Sequence, residues 1–384
     1  MGKKKKEDHN ISIHVDLVIE ILSRLPVRAL LRLKCLSKEF SGIIQSRYFV
    51  NLCLSCPSNR PRLLFCFHCH KDKKLLFFSA PHGWPSSIAP TRHEMTVRGG
   101  VGVSLRSPPV RGWIIYTIRP NQHVICNPST RQHLSLPENK ILGKHDDLIE
   151  FLIFGYDPIF DQFKVLCMSG LGGPSQNQFW VFTVGQDGDL WRKIPGIPNH
   201  LNPVTCNHVC GESGICINGV LYFKAYSRRA GYGLLDHLTC VVSLVSFDLN
   251  SEKFSLIETS PHLSWFSKLI DFQGKLGFIS RVKGCEVEFS CLMENKEWSL
   301  MVFHLPWAQE YKSHYRPISS SVLGICDGEI VFVSPTIQVP GYTWHLNLEK
   351  KTIRKVEFET PSTGSYGHFL AYYFANHVET TVSL

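Results

Sequence analysis

Three kinds of signal are missing from this chain, and each absence excludes a class of protein. No uninterrupted apolar stretch approaches the roughly 18 residues that cross a bilayer, so no membrane partner is predicted. The lysines at residues 3–6 are not followed by an apolar segment, which predicts that no signal peptide is present. Charged residues make up only 19% of the chain, below the usual share of about 25%, which excludes a disordered protein. We therefore expect an intracellular globular protein in the nucleus, the cytoplasm or both.

Catalytic signatures are missing as well. The chain has no Gly-x-Ser-x-Gly nucleophile elbow, no Gly-x-x-x-x-Gly-Lys phosphate loop and no His-Glu-x-x-His metal motif. The glycine-rich segments 99–102 and 170–173 do not have the phosphate-loop spacing, so they are interpreted as loops. The sequence therefore predicts a protein that is not an enzyme and that needs no cofactor.

The charge balance gives little support for nucleic-acid binding. The net charge is +9, and four of the positive charges lie in residues 3–6, so the rest of the chain is only weakly basic. Residues 1–11 are interpreted as a solvated basic tail, and a nuclear-import patch is the alternative. No nucleic-acid partner is predicted.

Fourteen cysteines without a secretory signal are interpreted as reduced thiols, many of them buried as small apolar residues. Two groups invite comparison with zinc sites: Cys53, Cys56, Cys66 and Cys69 with His68 and His70, and Cys206, His208, Cys210 and Cys216. In the first group the gap between the two Cys-x-x-Cys pairs is shorter than the usual spacing, and the second group is irregular. No metal site is therefore predicted.

Residues 12–53 carry apolar residues at helical spacing. Leu17, Ile21 and Leu25 form one stripe, with Asp16 placed to cap the helix and Pro26 to end it. A second apolar set contains Leu30 and Leu33, and Ser37 is the predicted N-cap of a third short helix. Three helices in so short a segment bury little surface, so we expect an exposed apolar face that binds a partner protein.

The chain after residue 54 is dominated by short β-like runs, and one spacing recurs. Gly219, Gly274 and Gly328 each follow a polar residue in a dipeptide suited to a hairpin turn, and an apolar residue lies two and four positions after each glycine. The glycines are spaced by about 54 residues, close to the length of a kelch-type propeller blade. Gly112 fits the same pattern at twice that spacing, which indicates one degenerate unit. About six units are predicted in an all-β domain.

An aromatic segment at residues 368–374 lies close to the end of the chain. Its composition is typical of a strand, and a closed ring of blades needs one terminus to complete the sheet that the other terminus begins. We expect it to pair with the early β region, around residues 63–67 or 75–78.

Residues 13–40, IHVDLVIEILSRLPVRALLRLKCLSKEF, resemble the F-box motif, with His14, Leu36 and Phe40 in place of the usual Pro, Val and Trp. The segments RPRLLF (60–65), CNPSTR (126–131), FGYDP (154–158) and NHVET (376–380) resemble the F-box-associated β domain of the large plant-type family. The resemblance implies an α+β multidomain protein: a tail at 1–11, a three-helix F-box at 12–53, and a propeller-like, kelch-like β domain at 54–384.

The resemblance also implies a function. The chain would be the substrate-recognition subunit of an SCF-type cullin-RING ubiquitin ligase, with the F-box bound to a Skp-type adaptor and the β domain bound to a target protein. The residues expected at the adaptor interface are Leu17, Ile21, Leu22, Leu25, Pro26, Leu30 and Leu33. Two alternatives remain: a non-catalytic propeller scaffold or glycan-binding module without a ligase role, and a zinc-dependent ligase that acts by itself.

Overall fold

The structure is a computed structural model of the 384-residue chain. It describes residues 14–55, 62–69, 74–81, 91–96, 103–105, 107–118, 122–138, 151–169, 178–185, 190–197, 201–203, 214–227, 241–281, 286–305, 322–333, 341–358 and 370–382.

The described chain begins with four helices, one more than the sequence predicts. They are α1 (Val15–Ser23), α2 (Val27–Leu36), α3 (Lys38–Gln45) and α4 (Arg47–Ser55). Ser37 caps α3 as predicted, because its side chain accepts a hydrogen bond from the backbone N–H of Glu39. The predicted cap of α1 is wrong: His14, not Asp16, precedes the helix, and its ring accepts from the N–H of Asp16. The predicted domain boundary at residue 53 lies inside α4 and stays a prediction.

All remaining described elements are strands. In chain order they are β1 (Arg62–Cys69), β2 (Lys74–Pro81), β3 (Thr91–Thr96), β4 (Val103–Leu105), β5 (Ile114–Ile118), β6 (Gln122–Asn127), β7 (Gln132–Ser135), β8 (Phe151–Asp157), β9 (Gln162–Ser169), β10 (Gln178–Thr183), β11 (Arg192–Ile194), β12 (Asn202–Pro203), β13 (Ile215–Ile217), β14 (Val220–Ser227), β15 (Val241–Asp248), β16 (Lys253–Ile257), β17 (Lys268–Phe272), β18 (Lys275–Arg281), β19 (Glu286–Leu292), β20 (Trp298–His304), β21 (Val322–Cys326), β22 (Glu329–Val333), β23 (Gly341–Asn347), β24 (Thr352–Phe358) and β25 (Leu370–His377).

The strands form six antiparallel sheets, which are the blades of a propeller. Blade 1 contains β25 and β1–β3, blade 2 β4–β7, blade 3 β8–β11, blade 4 β12–β16, blade 5 β17–β20 and blade 6 β21–β24. The first strand of one blade contacts the first strand of the next, as β21 does with β17 and with β25, so these strands line the centre of the ring. The predicted six-unit β domain is confirmed.

The carboxyl-terminal strand closes the ring. β25 pairs antiparallel with β1, with Leu64 opposite Phe374 and Cys66 opposite Tyr372. The predicted pairing of the terminus with the early β region is therefore confirmed, and the partner is the segment at 63–67. Because β25 occupies the innermost position of blade 1, the first and last parts of the propeller share one sheet.

The hydrophobic core of the propeller is divided among the interfaces between blades. Each of six apolar clusters joins residues of two consecutive blades, including the pair formed by blade 6 and blade 1. The apolar residues that follow the repeated glycines belong to these clusters: Leu221, Phe223, Leu276, Phe278, Ile330 and Phe332 are all buried. A seventh cluster lies inside the helical unit around Leu22, Leu30, Ile44 and Phe49. The recurring sequence pattern therefore marks the strand face that packs against the neighbouring blade.

The repeated glycines sit in tight turns between an innermost strand and the strand that follows it, namely β13 and β14, β17 and β18, and β21 and β22. Gly219, Gly274 and Gly328 all have φ between 75° and 82°, and the residue before each also has a positive φ. Two consecutive positive φ values are the signature of a type I′ turn, which favours glycine because it has no Cβ. The hairpin prediction from the dipeptides is confirmed.

Blade 3 is the degenerate unit, and its turn explains the doubled spacing. Strands β8 and β9 are joined by a four-residue turn instead of a glycine turn. The Asp157 carboxylate accepts hydrogen bonds from the N–H groups of Ile159 (2.9 Å) and Phe160 (3.3 Å), and Asp161 has a positive φ of 57°. An aspartate that bonds to the backbone two and three residues ahead stabilises the turn without glycine.

We predict that Gly112→Ala destabilises the propeller far more than Gly328→Ala. Both residues have positive φ, so both substitutions strain the backbone by about 1 kcal/mol. Nothing lies within 4 Å of the position that a Cβ would take at Gly328, whereas at Gly112 it would lie 2.2 Å from Thr380 Cγ2 and 2.6 Å from the carbonyl oxygen of Val378. Urea unfolding of both variants measures the difference. Equal unfolding midpoints would contradict this close approach of the two segments.

Candidate protein-binding surfaces

The helical unit exposes apolar side chains on α1. Leu17 is 54% exposed and Ile21 is 57% exposed, although both lie on the apolar stripe of the helix. The unit is too small to bury both sides of this stripe, so the part not used in its own core faces solvent. An exposed apolar stripe on a helix is a surface that fits a protein partner.

The structure separates the seven residues predicted at the adaptor interface into three groups. Leu17, Ile21 and Pro26 are exposed, and Leu25 and Leu33 are partly buried against the helical core. Leu22 and Leu30 are each only 3% exposed and pack with Ile44 and Phe49. In the chain by itself, these two leucines hold the helices together.

Three exposed apolar residues of the helical unit are not among the predicted interface residues. They are Val15 (53% exposed), Leu36 (76%) and Tyr48 (67%). Val15 lies close to Leu17 in sequence, and Leu36 is the last residue of α2. The sequence signal that could have identified them is that each is an apolar residue next to a predicted apolar stripe. Tyr48 lies on α4, a helix that the sequence pattern did not reveal.

Helix α4 joins the helical unit to the propeller through blades 2 and 3. The Arg47 guanidinium donates to the carbonyl oxygen of Pro158 (3.1 Å) and forms an ion pair with Asp161 (3.2 Å). One turn further along α4, the Asn51 side-chain oxygen accepts from the Arg111 guanidinium. Both contacts on the propeller fall in turns between first and second strands, so the helices sit on the face of the ring where these turns lie.

The side chains at this junction are linked to one another as well as to α4. The Arg111 guanidinium lies 4.0 Å from the centre of the Tyr156 ring, and the Tyr156 hydroxyl donates to Asp161. Burial, with the hydrogen bond to Asp161 as the next cause, raises the pKa of Tyr156 to about 12, and burial lowers the pKa of Arg111. The hydroxyl therefore stays protonated at neutral pH and keeps donating to the carboxylate, which in turn holds Arg47.

A cavity of about 520 Å³ opens between α4 and the first strands of the ring. Asn51, Leu54 and Ser55 line it from α4, and residues such as Ile270, Ile325 and Phe374 line it from the propeller. The helical unit thus covers the mouth of the central channel on one face of the ring.

The two faces of the ring differ in the length of the connections between strands. On the face covered by α4, the connections between the first and second strands of blades 3–6 are two to four residues long. The strand ends on the opposite face are joined by longer segments, such as 228–240, 305–321 and 359–369. Long connections on a rigid scaffold are where binding residues concentrate in proteins.

The eight cysteines whose side chains the structure describes are free thiols, and most of those in the propeller are buried. Cys66 is fully buried in the core between blades 1 and 2, and burial raises its thiol pKa well above the usual value. Burial also raises the pKa of Cys126 in the same cluster. A thiol that stays protonated is a poor metal ligand and a poor nucleophile. Cys66 therefore has the properties of a core residue.

Other predictions fall partly or wholly on residues that the structure does not describe. The basic tail at 1–11 and the glycine-rich segments 99–102 and 170–173 lie outside the described residues, and so do Cys56, His70, Cys206, His208 and Cys210. Among the residues that are described, no group of three or more His, Cys, Asp or Glu is arranged to hold a metal ion. No helix among them has the length and hydropathy that crossing a membrane requires.

Comparison with known protein families assigns both parts of the chain. Residues 12–52 match the family described as the F-box domain, and residues 62–378 match the family described as the F-box associated beta propeller domain. The second match covers most of the chain and agrees with the six blades.

Individual proteins are similar over nearly the whole length. The chain is 34% identical to F-box protein DOR of Arabidopsis thaliana, covering 96% of this chain and 92% of that protein. It is 30% identical to putative F-box protein At5g42430 of the same plant, covering 97% and 92%. Among solved structures, TolB from Acinetobacter baumannii is similar with a TM-score of 0.47 and 9% identity, over 88% of this chain and 73% of that one.

Proposed function

Since this chain belongs to the F-box proteins that carry an F-box-associated β-propeller domain, we propose that it is the substrate-recognition subunit of an SCF-type cullin-RING ubiquitin ligase. The family is non-catalytic and acts as a substrate receptor. In this proposal the helical unit binds a Skp-type adaptor, and the propeller binds the target protein. The chemistry of ubiquitin transfer belongs to the partners, and this chain supplies proximity between the target and the charged conjugating enzyme.

The observation that carries the proposal is the exposed apolar stripe of α1. Leu17 and Ile21 would contact the adaptor directly, and Leu25, Pro26 and Leu33 would lie at the margin of that contact. Leu22 and Leu30 would shape the surface from the core beneath it. Leu17 and Ile21 are each more than half exposed in the chain alone. Their removal from water at the interface would stabilise the complex with the adaptor.

The contacts of α4 support a fixed geometry between the two binding events. Arg47 and Asn51 each contact the propeller, and the partners of both are connected through Tyr156 and Asp161. A linked set of contacts resists rotation better than one contact, because breaking any one of them leaves the others in place. A target held on the propeller would thus keep a constant position relative to the adaptor.

The target would bind the face of the ring opposite α4. The helical unit occupies the face with the short turns, and an adaptor bound to α1 adds further bulk on that side. The opposite face is reached without conflict with the adaptor.

The alternative of a scaffold or glycan-binding module makes a different prediction about partners. A ligase subunit purified from cells brings the adaptor and a cullin, whereas a scaffold brings neither, or the adaptor alone. An intracellular location, in the nucleus or the cytoplasm, is part of the same proposal, since the partners act there.

We expect Leu17→Asp together with Ile21→Asp to reduce adaptor binding by at least about 100-fold, as expected when two central apolar contacts are lost. The fold should persist, because both side chains face solvent. Binding is measured by titration with purified Skp-type adaptor, and the fold by urea unfolding.

The matched control is Val241→Asp with Leu256→Asp. These residues are also exposed and apolar, but they lie on blade 4 of the propeller, away from the contacts of α4. The control should bind the adaptor as the unmodified chain does. Unchanged adaptor binding by the α1 variant would overturn the assignment of the interface, and binding lost in both variants would indicate a non-specific effect.

A further inference from the structure

The outermost strands of the six blades form the rim of the propeller, and β20 differs from the others. Its sequence, Trp-Ser-Leu-Met-Val-Phe-His, has seven residues and no Lys, Arg, Asp or Glu. Among the other described outer strands, β3, β11, β16 and β24 all contain charged residues, and β7 has only four residues. Proteins normally protect an outer strand with charge or shortness, because its free backbone groups can pair with another chain. β20 has neither protection.

The side chains of β20 alternate between the core and solvent. Met301 and Phe303 face the core between blades 5 and 6. On the other face, Leu300 is 43% exposed and Val302 is 53% exposed. One edge of β20 pairs with β19, and within the described sheet no strand pairs with its other edge. The strand therefore offers both an open backbone edge and an apolar face.

We propose that β20 pairs with β20 of a second copy of this chain, antiparallel and about a two-fold axis. The register that uses the whole strand places Met301 opposite the same residue of the second copy. Leu300 then lies opposite Val302 of the second copy, and Trp298 lies opposite His304. The two blades would form one continuous eight-stranded sheet.

A second copy fits this edge because the strand is self-complementary. The pair on the exposed face is Leu300 with Val302, and cross-strand apolar pairs stabilise antiparallel sheets. Trp298, which would lie opposite His304, is partly buried against Phe278 and donates to the carbonyl oxygen of Glu258, so it stands at the margin of this face. The same symmetry applied to β24 would set Lys355 directly opposite Lys355 of the copy, and like charges in that position repel. A second propeller also presents an ordered strand, whereas an unstructured peptide must first lose conformational entropy.

The contact area of one strand pair is small, so the dimer should be weak. Stable dimers usually bury more than about 1,200 Å², and a single seven-residue pairing buries less. We therefore expect a reversible dimer that forms at micromolar concentrations. The inference does not depend on the ligase function proposed above, although a dimeric receptor would hold two binding sites in one assembly and raise avidity for a repeated target.

Sedimentation of the full chain between about 1 and 100 µM tests the proposal. The unmodified chain should shift from monomer to dimer with rising concentration. Val302→Lys should weaken the dimer by at least about tenfold, because it sets a charge in an apolar contact. Ile353→Lys on β24, which is also partly exposed on an outer strand, should leave the dimer unchanged. The double variant at Leu17 and Ile21 should also still dimerise, which separates this contact from association through α1.

A charge-pair experiment tests the register. Leu300→Lys and Val302→Glu should each dimerise at least about tenfold more weakly than the unmodified chain, because each buries an unpaired charge. In an equal mixture the lysine introduced at position 300 lies opposite the glutamate introduced at position 302, so a heterodimer should form. A chain that stays monomeric at every concentration would overturn the proposal. A dimer that Val302→Lys leaves intact, or a mixture that stays monomeric, would overturn the β20 interface or its register.

Discussion

Truncation after residue 369 removes strand β25, and it is expected to abolish the cooperative unfolding of the propeller. The strand supplies the innermost position of blade 1, so its loss leaves one edge of β1 unpaired and opens the ring. It also removes Phe374 from the core between blades 1 and 2, and Ala375 from the core between blades 6 and 1.

Truncation after residue 369 also removes three polar contacts of the carboxyl-terminal segment. The Tyr372 hydroxyl donates to the carbonyl oxygen of Val103 (3.0 Å), and Arg62 forms an ion pair with Glu379 (3.2 Å). The carbonyl oxygen of Thr380 accepts from the buried side chain of Asn127 (3.3 Å). Removing the acceptor leaves the Asn127 amide buried without this partner, at a cost of about 1–3 kcal/mol.

Limited proteolysis and light scattering measure the outcome of the truncation. The shortened chain should aggregate or be cleaved rapidly within the β domain. A control chain that ends at residue 382 retains all of these contacts and should behave like the full protein. A monomeric, protease-resistant chain after truncation at 369 would show that the ring does not need its closing strand.

Lys164→Met is the second change with a large expected effect, a destabilisation of about 3–5 kcal/mol. The Lys164 ammonium lies between blades 3 and 4, where it donates to the carbonyl oxygen of Leu249 (2.5 Å) and to Glu252 (3.2 Å). It also forms an ion pair with Asp157 (3.4 Å), whose side chain is completely buried. Methionine has a similar volume and no charge. The Asp157 carboxylate would therefore lose its cation while buried, which is the costly way to break such a pair.

A combined variant separates the charge effect from the loss of packing. Asp157→Asn in the Lys164→Met background removes the uncompensated charge and keeps an oxygen that accepts from the turn N–H groups, so part of the stability should return. Lys193→Met, at an exposed lysine of the same blade, should change stability by less than about 0.5 kcal/mol. Urea midpoints for the three variants provide the comparison. If Lys164→Met matches the Lys193 control, the ion pair does not stabilise the blade interface.

Much of the architecture was predictable from the sequence because it depends on local chemistry that repeats. Glycines at a period of about 54 residues predicted the hairpins, since only a residue without a Cβ adopts a positive φ without strain, and the apolar residues after them predicted the buried faces. The closing strand was predictable for a related reason: a β-prone terminus must be paired. Blade 3 does not show the glycine pattern, because hydrogen bonds to the Asp157 carboxylate stabilise its turn instead.

The tertiary structure alone decided how residues distant in sequence share surfaces. The apolar stripe of α1 did not reveal by itself that Leu22 points into the helical core while Ile21 points to solvent, since that division depends on where α2, α3 and α4 pack. Helix α4, its contacts with Arg111 and Asp161, and the buried position of Lys164 between two blades have no local signature. The periodicity of a sequence indicates the conformation of one helix or strand and which of its faces is buried. The partner of that face is set by the closure of the ring, which brings together residues that are hundreds of positions apart.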